Sequence, residues 1–173
     1  MMLLLLAGLA SAASSKWEGA NPDIRADGLV PAPVETTYAY VLDLTHLRGL
    51  FPEHCMGKIQ LGSRTFGEGA NAEVRYDMGM MHRRLAMTLA RALPPGTIEF
   101  EHPGNRGFVT RWSFAEENGG TRVTLLTPLN PPPKPFVGYY YTVVQSEWQT
   151  CYSEVIVNLA RAVAGSSPGT VTP

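Results

Sequence analysis

Charge of one sign is missing from this sequence: 14 Lys and Arg stand against 15 Asp and Glu, a formal charge of −1 over 173 residues. With no basic face, and with Lys58 and Lys134 far apart and outside any basic cluster, nucleic acid is not an expected partner. Cysteine is scarce as well. Cys55 and Cys151 are the only two, too few for a disulfide-rich scaffold. They make either one bridge in an oxidising compartment or two buried free thiols, the commoner arrangement. Cys151 falls in a helical stretch among apolar neighbours, where a small hydrophobe simply packs, and neither cysteine is expected to be a nucleophile.

Long apolar runs are also lacking. The start, Met1 to Ala10 followed by Ser11-Ala-Ala-Ser-Ser15, has the length of a secretory h-region and small residues suited to cleavage, although a basic n-region is absent. It stops short of the ~20 apolar residues that span a bilayer. Residues 1–20 are therefore expected to be a signal peptide or disordered leader, and the protein periplasmic or secreted, with a cytoplasmic location as the alternative. No integral membrane span is expected; transient membrane contact stays open.

Several chemical signatures are absent. Gly67-Glu-Gly69 has no preceding strand entering a helix and no third glycine, so it is not a dinucleotide loop. There is no Gly-x-Ser-x-Gly elbow and no His-Glu-x-x-His. His46, His54 and Cys55 are close in sequence but match no zinc spacing, and His82 and His102 belong to other elements, so neither a metal nor a cofactor is expected.

What is present is ordinary globular composition, 45% apolar and 17% charged, which excludes disorder, collagen and coiled coil. One domain over residues 21–165 and a disordered tail over 166–173 account for the chain. A strand from Asp23 to Val30 should end at Pro31 and Pro33, because proline cannot continue a ladder. Val34, Tyr38, Val41 and Leu42 then recur at helical spacing, and a second short helix fits Thr45 to Leu50 before Phe51-Pro52.

From Cys55 to Leu129, Gly and Pro clusters separate short runs of period two, the pattern of consecutive antiparallel strands. Ala70, Ala72, Val74, Tyr76 and Met78 form one apolar face. Ile98, Phe100 and His102 form a second, Phe108, Thr110, Trp112 and Phe114 a third, and Val123 and Leu125 a fourth. Met81 to Leu93 is ambiguous: its residues favour helix, while the strands on both sides argue for another strand with Leu85, Met87 and Leu89 on one face, flanked by Arg83 and Arg91. After the stiff proline-rich stretch from Pro128 to Pro135, Val137, Tyr141, Val144, Trp148, Cys151, Val155 and Leu159 make an amphipathic helical stripe. Roughly 29 residues at ~1.5 Å each would reach ~43 Å, enough to cross a whole sheet.

This order of elements, with Val30-x-Ala32-Pro33-x-Glu35-x-x-Tyr38-x-x-Val41-x-Asp43 near the start and Gly120-Thr-Arg-Val-Thr124 before the last helix, resembles the SRPBCC superfamily of START-like and polyketide cyclase/dehydrase domains. The likeness covers about residues 22–164, and it departs from the family where Phe51-Pro52 stands in place of the usual Trp near Pro. It implies an α+β helix-grip fold: a curved antiparallel sheet of about six to seven strands wrapped around a long C-terminal helix, with two short helices after the first strand. It also implies that Met81 to Leu93 is a strand, and that an apolar cavity lies between sheet and helix.

The expected lining is Tyr76, Met87, Leu89, Phe100, Phe108, Trp112, Tyr141, Trp148 and Tyr152, side chains that could equally fill the interior as core. His102 is a candidate acid or base, or else a hydrogen-bonded histidine at a strand end. Tyr76 could donate to a ligand oxygen, and Arg83 and Arg91 could meet a carboxylate or enolate, or snorkel outward. The expected function is binding or transport of an apolar small molecule, such as a lipid, quinone or polyketide-like ring. A cyclase/dehydrase using the same cavity is the alternative, and a protein-interaction module with a filled core is the third reading.

Overall fold

The computed structural model describes residues 23–78, 81–103, 109–128 and 143–165, with the backbone alone at 77, 78 and 81–83. The leader, the tail, Phe108, Tyr141, the Arg83 side chain and the connector from Leu129 onward therefore lie outside the described residues. Strand β1 (Ile24–Val30) runs into Pro31, and helix α1 (Val34–Leu42) starts immediately after Pro33. A 3₁₀ turn (Leu44–His46), opened by the Asp43 carboxylate accepting from the Thr45 amide at 2.9 Å, leads to α2 (Leu47–Leu50). Six strands follow: β2 (Lys58–Leu61), β3 (Asn71–Met78), β4 (Met81–Leu93), β5 (Thr97–Glu101), β6 (Val109–Glu117) and β7 (Gly120–Thr127). The described part of the last helix, α3, spans Gln145–Gly165.

The seven strands form one antiparallel sheet in the order β1-β7-β6-β5-β4-β3-β2, curled into a half-barrel. Only β1 leaves the sequential meander, returning to pair with β7 from Ile24 opposite Thr127 to Val30 opposite Thr121. The expected inner faces are the buried ones: Ala70, Ala72, Val74 and Tyr76; Ile98, Phe100 and His102; Thr110, Trp112 and Phe114; Val123 and Leu125.

The ambiguous segment is strand β4, in spite of its helix-forming residues. Both its edges are paired, with β3 and with β5, and this ladder outweighs a weak local preference. A register shift between Leu89 and Arg91 breaks its alternation. Before it, Leu85, Met87 and Leu89 are buried; after it, Arg91 is exposed and Ala92 turns toward the core. Arg91 is thus not the end of an inward row, because one extra residue in the strand reverses the phase of everything beyond it.

Helix α3 lies across the mouth of the half-barrel against β1 and α2. It buries Cys151, Tyr152, Val155, Ile156, Leu159 and Val163. Gln149 caps the free edge of β1: its amide oxygen accepts from the Arg25 N–H at 3.2 Å, and its amide nitrogen donates to the Arg25 carbonyl. An edge that would otherwise expose unpaired backbone is thereby covered.

Cys55, in the turn before β2, is bonded to Cys151 on α3, with Cα atoms 6.0 Å apart. The expectation of two free thiols as the commoner case is corrected here. The partners are 96 residues apart, and only the closure of α3 over the α2–β2 turn brings them together.

Candidate functional site

Period two on three neighbouring strands places short polar groups side by side at one end of the inner face. Thr110 stands opposite Phe100 across β5 and β6, His102 follows β5, and Thr127 ends β7. One turn of α3 presents Trp148 and Tyr152 from above. The result is a chain of hydrogen bonds: Tyr152 Oη to Thr127 Oγ1 at 2.6 Å, Thr127 Oγ1 to Thr110 Oγ1 at 2.7 Å, and Thr110 Oγ1 to His102 Nε2 at 2.8 Å. All four residues are buried, and mutual pairing is what makes their burial tolerable.

Burial dominates the electrostatics. It pushes the His102 imidazole down from 6.5 to about 4, opposed in part by a hydrogen bond with the Ala86 backbone. It pushes the Tyr152 phenol above 10, opposed by the hydroxyls of Thr127 and Thr110. Near neutral pH the chain is therefore uncharged: it offers directional hydrogen bonds without a counter-ion for a charged guest.

Beside this chain stands an aromatic wall. The rings of Tyr76 and Trp148 meet edge to face at 5.5 Å, and those of Trp148 and Tyr152 at 5.9 Å. Trp148 is half-buried, whereas Tyr76 and Tyr152 are buried. Three of the expected lining residues, one from β3 and two from α3, thus form a row joined through Trp148. Met87, Leu89, Phe100 and Trp112 lie on the same inner face, but Leu89, Phe100 and Trp112 are at most 2% exposed and fill the core in this conformation. A groove of about 330 Å³ between β2, β3 and β4 includes Gln60, Asn71, Met87 and Thr88 in its wall; of the expected lining residues, only Met87 borders it.

His102 lies on the inner face immediately after the end of β5, and its hydrogen bond to Thr110 fits the expected hydrogen-bonded histidine at a strand end. One member of the site, Thr127, escaped the sequence reading, and so did an unusual core residue, Tyr38. Thr127 continues the period of Val123 and Leu125, a signal that was available but is easily passed over in a polar residue. Tyr38 reads as one more apolar position of α1, yet its ring meets Phe114 edge to face at 5.5 Å, and its buried hydroxyl has no hydrogen-bond partner among the described residues. An orphan hydroxyl inside a core is a marked exception.

These features define a class: a helix-grip half-barrel with a long helix closing an interior of aromatic and neutral polar groups. No protein-family model matches the chain, and neither does any curated protein. Among solved structures, the TTHA0849 protein of Thermus thermophilus superposes with a TM-score of 0.71 at 22% identity, covering 85% of this chain and 100% of its own. The KanY protein (ms6282) reaches a TM-score of 0.74 at 19% identity, covering 84% and 99%. Ara h 8.0201 reaches 0.55 at 12% identity, covering 83% and 98%. Likeness at these identities establishes the shared fold.

Proposed function

We propose that this chain is an SRPBCC-type protein that binds or carries an apolar small molecule, such as a lipid, quinone or polyketide-like ring compound, between the sheet and α3. The observation that carries this reading is the Tyr76–Trp148–Tyr152 wall ending on the uncharged Thr127–Thr110–His102 chain. An apolar surface with a few convergent polar groups is the usual make-up of a small-molecule site. Apolar burial at roughly 25 cal/mol per Å² supplies the affinity, before the costs of association. Native mass spectrometry after gentle purification, combined with titration of an apolar fluorescent probe while following tryptophan emission, tests it. A co-purifying lipid-like mass, or saturable quenching that is weakened in Trp148→Ala, supports carriage; an empty protein that binds no probe defeats it.

The second reading, a cyclase/dehydrase-type enzyme, is favoured by one observation: the His102 imidazole stands on the inner face within hydrogen-bond reach of the Thr110 hydroxyl, 2.8 Å away, at the end of a chain of hydroxyls. Once a ligand is known, His102→Ala and Arg83→Gln, made separately, decide between the two. Unchanged turnover in both removes the catalytic roles.

We place the protein outside the cytoplasm, and the Cys55–Cys151 bridge supports this, since such bonds persist in oxidising compartments. Among the described residues no helix is long and apolar enough to cross a membrane. N-terminal sequencing of the mature protein checks the placement: cleavage within the first ~20 residues is expected for a secretory leader, and an intact Met1 in the cytosol refutes it.

A further inference from the structure

We propose that His54, Cys55, Cys151 and Glu154 form a redox-gated site for a thiophilic divalent metal ion such as zinc, open when the Cys55–Cys151 bond is reduced and closed when it is formed. The donor atoms of His54, Cys55 and Cys151 all lie within 4.8 Å of one another. The fourth donor, Glu154 Oε1, is 3.6 Å from His54 Nε2. Two thiolates, an imidazole and a carboxylate are donors that tetrahedral zinc accepts, at bonds of ~2.0–2.3 Å.

Their placement has a local cause. Cys151 and Glu154 are three residues apart on α3 and so share one face of the helix. His54 and Cys55 sit in a turn closed by Cys55 N–H and Met56 N–H, both donating to the Pro52 carbonyl at 2.9 and 3.0 Å. The two halves are also held together without the disulfide: Asn158, one turn beyond Glu154, donates to the Leu50 carbonyl at 3.0 Å, and Phe51, Met56, Val155 and Leu159 are buried in the common core. Breaking the S–S bond therefore leaves the donors apposed. Cys55 and Cys151 are buried while His54 and Glu154 are exposed, so an ion arriving from solvent would meet the imidazole and the carboxylate first.

The chemistry balances. A dithiol reductant gives two electrons and two protons to the bridge, the S–S bond breaks, Cys55 and Cys151 become thiols, and the reductant becomes its own disulfide. The ion then forms two metal–sulfur bonds, the two thiol protons pass to solvent, and the metal does not change oxidation state. The metal takes over the cross-link between α3 and the α2–β2 turn that the disulfide otherwise makes. The bridged state needs neither His54 nor Glu154, which identifies them as the test of the site.

Titration of the full chain with cobalt(II), after anaerobic reduction and removal of the reductant, tests this. The expected result is one equivalent bound per chain, with thiolate-to-cobalt charge transfer in the near ultraviolet and intense tetrahedral bands in the visible. Zinc should displace it, the oxidised chain should show none of it, and affinity should fall at least ~10-fold in His54→Ala and to a lesser degree in Glu154→Gln. Circular dichroism of the reduced chain runs alongside. If reduction loosens the fold, recovery on adding zinc supports the site, and failure to recover overturns it. No cobalt thiolate bands, equal binding by the oxidised chain, or undiminished affinity in His54→Ala also overturns it.

Discussion

The hydroxyl of Tyr152 lies 2.6 Å from that of Thr127, so the closing helix is joined to the last strand by a buried polar contact as well as by apolar packing. Because Thr127 also meets Thr110, and Thr110 meets His102, a change at Tyr152 is felt through the inner face as far as the end of β5. Tyr152→Phe should cost about 1–3 kcal/mol, depending on whether Thr127 is left underpaired. The urea midpoint of the variant measures this. Thr127→Val should cost a similar amount, and the double variant less than the sum, since the second change removes a group that the first has already stranded. Strict additivity would mean that the two hydroxyls do not interact.

Acid stability should bear the signature of His102. Its pKa in the folded state, about 4, lies below the ordinary 6.5. Above pH 6.5 both states are neutral there and the residue contributes no slope. As the pH falls, the unfolded chain takes up the proton first, so stability declines from pH 6.5 to about 4 and then levels, by on the order of 3 kcal/mol in all. Asp43 and Glu117, whose carboxyls are lowered, contribute stability above their ordinary values and lose it as the pH falls from those values through the folded ones, so their loss adds to the acid end of the curve and only the His102→Gln comparison isolates the histidine. Denaturant titrations at several pH values should show the decline in the native sequence and a flatter curve in His102→Gln; identical curves would remove the assignment.

The disulfide should add substantially to the stability of the described domain. It closes a loop of 96 residues, for which loop-entropy arguments give ~4–5 kcal/mol and the usual measured range is ~2–5 kcal/mol. Reduction in the presence of a chelator, or the Cys55→Ala/Cys151→Ala pair, should lower the thermal and urea midpoints together. An unchanged midpoint would show that the unfolded chain is already confined at this point by other means.

The half-barrel was legible because the inner faces of β3, β5, β6 and β7 are written in strict alternation, and because Pro31 and Pro33 mark the change from β1 to α1. Strand β4 was less so. Its residues prefer helix, and what decides their state is hydrogen bonding to neighbours on both sides, which no window of sequence contains. The bulge after Leu89 moved Arg91 outward for the same reason: a one-residue slip changes no residue type, only the phase. The inward position of Tyr76 follows from the period of β3 and that of Trp148 from the helical stripe, and the structure brings the two rings together. Thr127 and Tyr38 were missed because a buried hydroxyl is visible only once its partner, or the lack of one, is in place. The pairing of Cys55 with Cys151 depends on the docking of α3 and has no local signal at all.

That docking rests on a close approach which glycine permits. A methyl group at Gly28, on β1, would stand 2.6 Å from Ile156 Cγ2 on α3. The contact is too short for two carbons, and Ile156, branched at Cβ and buried, has little freedom to turn aside. Gly28→Ala should therefore push α3 away from β1 and cost ~1–3 kcal/mol, although the same change on an open strand would be stabilising by Gly's entropy. Ile156→Ala alone opens a cavity and should cost ~2–5 kcal/mol. Combined, the two should cost clearly less than their sum, because the methyl group added on β1 occupies space that the Ile156 side chain has vacated. Urea midpoints of the four chains measure the coupling. A helix free to settle further from the sheet would show none, and α3 would then be a loosely laid lid instead of a gripped element.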